Sequence, residues 1–310
     1  MDPDEQIDAR LSRFAAHARF GTRGAVITDL DGTAVHEDAT AGRVVIPVEV
    51  ELALRRIREL GRPVILNSLR FPLSIMRSFG QEWCAISNAP LPTVSLNGSL
   101  VGWLTRSDSG ALSFDEVAAF PLLPGELHGA LERIEALLRA GLDELLVFWY
   151  PRDWTLGERI WAFRPDRLDA VRARYPSAAA EAVEAGSLEA LRAAWSHHEI
   201  CMALLLLDVP GERLMAYQHA ERERFLTRAG VDKLHGARLI AERLQVELAD
   251  SVGAGDTVMD TFLDAVGLSV TVGSAPNDFS GIHETLRVRD SVQLGRLLDR
   301  LARLHAAGEA

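Results

Sequence analysis

Between Ala25 and Thr33 a short apolar run stops abruptly at two carboxylates and a glycine: Ala-Val-Ile-Thr-Asp29-Leu-Asp31-Gly32-Thr33. The run is long enough for one buried strand. Gly32 then permits a tight turn that a side chain would obstruct. Asp29 and Asp31 are two positions apart, so along extended chain they point to one side. The carboxyl end of a buried strand is where open α/β sheets place their ligands. Like charges held that close are costly unless a proton or a cation comes between them. The stretch therefore asks for a metal.

Around this segment strands and helices alternate. Ile7, Leu11, Phe14 and Ala18 follow a helical period and predict an N-terminal helical extension over residues 1–21. Pro47 opens a helix with apolar Val50, Ala53, Leu54, Ile57 and Leu60, stopped by Gly61. Pro63 to Asn67 reads as a second buried strand, ending at Ser68 and Arg70, and Pro72 starts a helix to about Gln81. Thr93 to Gly98 reads as a third strand closed by a turn. Such alternation marks a parallel sheet with covering helices.

After about Leu100 the pattern changes. Leu127, Leu131, Ile134 and Leu138 mark a helix, and Leu145–Tyr150 and Arg159–Phe163 are strand-like. A helix near Asp166–Tyr175, an Ala- and Glu-rich stretch, a strand from Ile200 to Val209 and a long charged helix from Pro210 to about Ala229 follow. The first pattern resumes with a helix from Lys233, a small-residue strand over Asp250–Gly255 and a short helix over Asp260–Val266. A strand at Leu268–Val272 and a C-terminal helix carrying Leu294, Leu297, Leu298, Leu301 and Leu304 complete it. The predicted fold is α/β: a Rossmann-like parallel-sheet core from residues 1–100 and 230–310, with an α+β insert at 101–229.

Composition narrows the partners. A net charge of −11 argues against a general nucleic-acid binder. The apolar run Ile200–Leu207 is far too short to span a bilayer, so no membrane partner is expected. Cys84 and Cys201 lie in apolar surroundings, and the acidic start Met1-Asp-Pro-Asp-Glu shows no secretory signal. Reduced, buried thiols and a cytoplasmic location are the expectation.

Six residues, with Arg70 as a seventh, are candidates for chemistry. Asp29 can attack as a carboxylate, and Asp31 can pass a proton to a leaving oxygen and later take one from water; Asp-Gly is also a common turn pair. Ser68 after a strand can hold a phosphoryl oxygen or simply cap a turn. Arg70 is either a phosphate contact or a surface arginine. Lys233, the only lysine, starts a helix, where the macrodipole disfavours a cation; it either pairs with the carboxylate and a phosphate or is an exposed lysine. Asp256 ends a strand and Asp260 lies one helical turn on, so both can face one point. A few carboxylates suffice for magnesium, which keeps several waters.

Taken in order, Asp29-x-Asp31-Gly-Thr, the strand-end Ser68, the helix-start Lys233 and Gly255-Asp256-x-x-x-Asp260 resemble the haloacid dehalogenase (HAD) superfamily of phosphohydrolases. The insert resembles the C2-type cap of its Cof-like and sucrose-phosphatase-like branch, and Asn97-Gly98 is similar to the turn that often precedes that cap. The resemblance implies that Asp29 is nucleophile and metal ligand, and that Asp31 is general acid/base and lends its backbone carbonyl to the metal. It implies that Ser68 binds the phosphoryl group, that Lys233 steadies that group and Asp29, and that Asp256 and Asp260 position Mg2+ directly or through water. Two positions depart from the branch: Asn67-Ser68-Leu69-Arg70 replaces Thr-Gly-Arg, and Met259 stands where Asn is common.

The function so implied is Mg-dependent hydrolysis of a small phosphorylated metabolite, such as a sugar phosphate, through an aspartyl phosphate. Phosphoryl transfer to a second substrate, as in a mutase, and a non-catalytic ligand-binding regulator are the alternatives. In the insert Trp149, Trp154 and Trp161 lie beside Tyr150, Arg152 and Arg159. They form either a sugar-binding surface or, for most of them, the core of a small cap.

Overall fold

The computed structural model describes residues 3–38, 43–87, 90–175, 182–207, 225–274 and 278–308. The strands in chain order are β1 Val26–Thr28, β2 His36–Asp38, β3 Arg43–Val45, β4 Val64–Asn67, β5 Leu91–Ser95, β6 Leu100–Arg106, β7 Leu112–Ala119, β8 Leu146–Pro151, β9 Arg159–Ala162, β10 Ala182–Ala185, β11 Ile200–Leu206, β12 Phe225–Leu226, β13 Val252–Gly255, β14 Leu268–Val272 and β15 Glu284–Val288. The helices are α1 Pro3–His17, α2 Phe20–Arg23, α3 Val48–Glu59, α4 Pro72–Ser87, α5 Pro124–Arg139, α6 Leu168–Arg174, α7 Leu188–Ser196, α8 Lys233–Leu244 and α9 Ser291–Gly308.

Eight strands form the main sheet in the order β15-β14-β13-β1-β4-β5-β6-β7. From β15 to β5 all neighbours are parallel, with Val26 opposite Val252 on one side and Val64 on the other. Every residue of β1, β4, β5, β13 and β14 is buried, as strands covered on both faces require. Val26, Val64, Val252 and Leu268 pack with α1, α3 and α9. Ala25, Ile27, Ile65 and Val94 pack with Ala237 and Ile240 of α8 and with Phe262. This two-residue alternation carries Asp29, in phase with Ile27, toward α8.

The change of pattern near Leu100 is a reversal of strand direction, not the edge of the sheet. β6 and β7 continue the sheet as an antiparallel meander, Leu91 facing Leu104 and Leu104 facing Phe114. A meander needs no crossover helix, so the strand–helix rhythm vanishes while the sheet goes on.

The insert supplies a second sheet, β10-β9-β8-β11-β12, antiparallel except for β9 and β10. One face carries Val147, Trp149, Trp161 and Ala203 against Ile134 of α5 and Leu191 and Trp195 of α7. The other face, with Phe148, Tyr150, Met202 and Leu204, joins the apolar cluster that includes Leu69, Phe71 and Met259. Phe71 and Tyr150 meet with ring centroids 5.7 Å apart. Trp149 and Trp161 are therefore core, and only Trp154 is half-buried. Arg159 lies over Trp149 and pairs with Glu184 within the insert, and Arg152 ties Glu199 of the insert to Glu116 of β7 in the main sheet, so both arginines have structural partners.

The helix expected from Pro210 to Ala229 lies outside the described residues up to residue 224; the rest holds the short strand β12 and a turn. The Ala- and Glu-rich stretch is likewise outside them over residues 176–181. Cys84 and Cys201 are both free and buried. Among the described residues no helix is long and apolar enough to cross a membrane.

Candidate active site

Four of the six expected residues converge at the carboxyl end of β1 and β13. Asp29 follows β1, its amide donating to the Ala254 carbonyl of β13 at 2.9 Å. Lys233 begins α8 and extends its ammonium between two carboxylates, 2.8 Å from Asp29 Oδ1 and 2.6 Å from Asp260 Oδ1. All three are buried. Asp256 stands just after β13, held at Oδ1 by the Thr33 hydroxyl at 3.1 Å. One carboxylate oxygen from each of Asp29, Asp256 and Asp260 lies within 4.8 Å of the others.

The local backbone explains this convergence. Gly32 has φ +75, and a Cβ built on it would sit 2.2 Å from Asp256 Oδ2, so the first turn folds directly under the second acid. Gly98, φ +93, lies against the Asp232 carbonyl, where a Cβ would come within 2.1 Å, and so seats the start of α8. Asp232 caps that helix, accepting from the His235 amide at 2.8 Å and the Thr261 hydroxyl at 3.0 Å. Asn67 at the end of β4 donates to the Lys233 carbonyl at 3.0 Å.

Asp260 reaches its place by a different route from the expected helical turn. Residues 257–260 form a turn followed by a short 3-10 helix, Thr261–Asp264. Asp260 Oδ2 accepts from the amides of Asp256 and Thr257 at 2.9 and 2.8 Å. Both its oxygens are thus engaged, one by Lys233 and one by the loop. Met259 packs into the apolar cluster beneath the insert.

The other two expected residues sit beside this group. Ser68 follows β4, the strand next to β1, and its hydroxyl accepts from the Arg70 amide at 3.1 Å. A hydroxyl that accepts still has its proton to donate. Asp31 is a quarter exposed and is gripped by Arg70, Nε to Oδ2 and Nη2 to Oδ1, both at 2.7 Å. Arg70 is only 2% exposed, so it is not the surface arginine that its sequence context allows.

Three carboxylates facing one ammonium leave negative charge uncompensated, and two of them show it. Burial lifts the Asp29 carboxyl well above its usual range; Lys233 opposes the rise, while Asp260 and Asp256 add to it. Burial and then Asp260 raise Asp256 to about 6. An all-oxygen donor set of this charge fits a hard divalent cation. Asp29 and Asp256 have oxygens to offer it, and Asp260 is fixed to its neighbours.

The raised carboxyls set a testable sign. A group that binds its proton more tightly when folded stabilises the fold in acid and loses that contribution as pH rises. Without metal, the wild type should therefore lose stability relative to Asp256→Asn between pH 3.8 and about 6, by on the order of 3 kcal/mol. Millimolar Mg2+ should cancel the loss above that window. Denaturant melts of both proteins across this range, with chelator and with Mg2+, are the check, and a relative gain with rising pH contradicts the assignment. Gly32→Ala should cost at least about 1–2 kcal/mol from its left-handed backbone alone. It should also abolish the Mg2+-induced rise in melting temperature, since the added Cβ displaces Asp256.

No family model matches the chain, and no curated protein does. Solved structures do. A phosphatase of the HAD superfamily from Bacteroides thetaiotaomicron aligns with 91% of this chain and 96% of its own at 15% identity, TM-score 0.61. A subclass IIB sugar phosphatase of the same superfamily aligns with 92% of this chain and 99% of its own at 15% identity, TM-score 0.61. A haloacid dehalogenase-like hydrolase from B. subtilis aligns with 89% and 98% at 19% identity, TM-score 0.57. The chain has the haloacid dehalogenase fold. Within that HAD fold the carboxylate group occupies the carboxyl end of the parallel strands.

Sequence reasoning overlooked Thr33, Asn67, Asp232, Thr257 and Thr261, which orient the charged residues. Thr33 and Thr257 follow Asp31-Gly32 and Asp256 closely, and a hydroxyl so near a turn acid is the one signal that could have flagged them.

Proposed function

We propose that the chain is a Mg-dependent phosphohydrolase acting on a small phosphorylated metabolite through an aspartyl phosphate. The observation that carries this reading is Asp29 itself: a buried carboxylate at a strand end, 2.8 Å from the sole lysine, with two more carboxylates beside it. An Asp29 oxygen attacks phosphorus as the ester P–O bond breaks. Asp31 gives its proton to the departing oxygen. A water then attacks the phosphoryl-Asp29 bond, passes a proton to Asp31, and leaves as inorganic phosphate with Asp29 restored. Lys233 and Ser68 hold phosphoryl oxygens as their charge grows. A magnesium ion on Asp29, Asp256 and the Asp31 backbone carbonyl would offset repulsion between an anionic nucleophile and an anionic ester. Asp260 fixes Lys233 and the Asp256 loop, so its part in metal binding is indirect.

In this reading the second sheet with α5, α6 and α7 is the cap, and β6 and β7 belong to the core, which moves the boundary from Leu100 to residues 120–123. The sugar phosphatase among the structural neighbours supports a phosphorylated sugar as substrate. Hydrolysis of p-nitrophenyl phosphate that requires Mg2+, followed by a screen of sugar phosphates, is the test. Equimolar inorganic phosphate supports hydrolysis, and its absence supports transfer to an alcohol. No turnover of any ester, with Mg2+ present, overturns the enzyme reading.

A further inference from the structure

We infer that Arg70 is a positioning residue that acts on the reaction through Asp31; the inference rests on the phosphohydrolase reading above. Lys233 grips Asp29 and Asp260 and the Thr33 hydroxyl holds Asp256, whereas Asp31 is held by Arg70. The Asp31 side chain is 25% exposed, and an unrestrained aspartate there would sample several rotamers. The Arg70 fork removes that freedom by meeting each carboxylate oxygen at 2.7 Å. Such a two-point contact fixes the plane of the carboxylate as well as its place. It occupies one lone pair on each oxygen and leaves the other for a leaving group or a water on the exposed side.

The guanidinium is itself built in. Nη1 donates to the hydroxyls of Ser74 at 3.4 Å and Ser78 at 3.2 Å, in the first and second turns of α4, and the Phe79 ring lies 5.0 Å away. The Arg70 carbonyl accepts from the Ser95 hydroxyl and from the Leu96 amide. With 2% of its surface exposed and its fork turned to Asp31, Arg70 is not arranged as a phosphate contact. A loop that already carries Ser68 therefore also sets the orientation of the acid/base group. A shift of that group by even one ångström is enough to lose much of its effect.

The test separates the two half-reactions with p-nitrophenyl phosphate. Nitrophenolate leaves without needing a proton, so its first release depends little on Asp31, whereas hydrolysis of the phosphoenzyme needs Asp31 to take a proton from water. Arg70→Lys keeps the charge and loses the fork. It should show a nitrophenolate burst of about one equivalent, then a steady state slowed about 10- to 100-fold. Loss of both phases together, or of neither, overturns the inference, because a merely structural role would slow both. If Arg70→Lys does not fold, Ser74→Ala/Ser78→Ala frees the guanidinium without touching the site, and the same split in smaller measure is required of it. A wild type that releases no nitrophenolate overturns the phosphohydrolase reading, and this inference with it; an active wild type with an unsplit variant overturns this inference alone.

Discussion

Asp29→Asn should reduce kcat by on the order of 10^4-fold or more while leaving the fold intact. The amide is isosteric and keeps a hydrogen-bond acceptor for the Lys233 ammonium, which stays paired with Asp260 at 2.6 Å. What is lost is the charge that attacks phosphorus. Stability should not fall with activity. Burial and two neighbouring acids make an ionised Asp29 costly, so in chelator the variant should unfold at an equal or higher denaturant concentration than the wild type. Its stabilisation by Mg2+ should shrink, because one of the two carboxylates that would hold the ion is gone. Full activity in this variant would remove Asp29 from the chemistry, and a collapse of stability would mean that its charge is structural.

How much of this was legible depended on whether a residue's partner announces itself locally. The strand at Val26–Thr28 was readable because an apolar run followed by an acid and Gly32 leaves few alternatives. Lys233 was readable by its misfit: a cation at a helix start is unfavourable and asks for an anionic partner, and the structure supplies two, Asp29 and Asp260. Asp256 and Asp260 were found by spacing, although the joining segment is a turn held by Asp260 Oδ2, not a helix. Spacing of four suits both. Arg70 was not readable, because nothing near it in sequence distinguishes a buried arginine from a surface one. Its partner lies 39 positions earlier. That β6 and β7 extend the main sheet is not legible, because strand direction leaves no trace in a short apolar segment. For Trp149 and Trp161 the sequence leaves a ligand surface and a cap core both open, and α5 and α7, which cover them, decide for core.

Lys233→Met should be the most damaging single change to stability. It leaves Asp29 and Asp260 buried side by side with no cation between them, where the wild type has contacts of 2.8 and 2.6 Å. Breaking a buried ion pair in this way costs about 3–5 kcal/mol, and loss of the phosphoryl contact should lower kcat/KM by about 100-fold or more. The pH dependence has a definite direction. Burial alone would lower the lysine's pKa, but Asp260 and Asp29 outweigh it and raise the group above its ordinary range. The wild-type contribution is thus fully present below the ordinary lysine pKa and is lost only in strong alkali. In the variant a proton can substitute for the missing ammonium by neutralising Asp29. Its deficit against the wild type should therefore be smaller at pH 5 than at pH 8, in denaturant melts with chelator. Lys233→Arg should not restore activity, since a planar fork cannot take the place of a compact ammonium between two carboxylates. A deficit independent of pH would mean that the ammonium fills space and does not balance charge, and the electrostatic account of the site would fail there first.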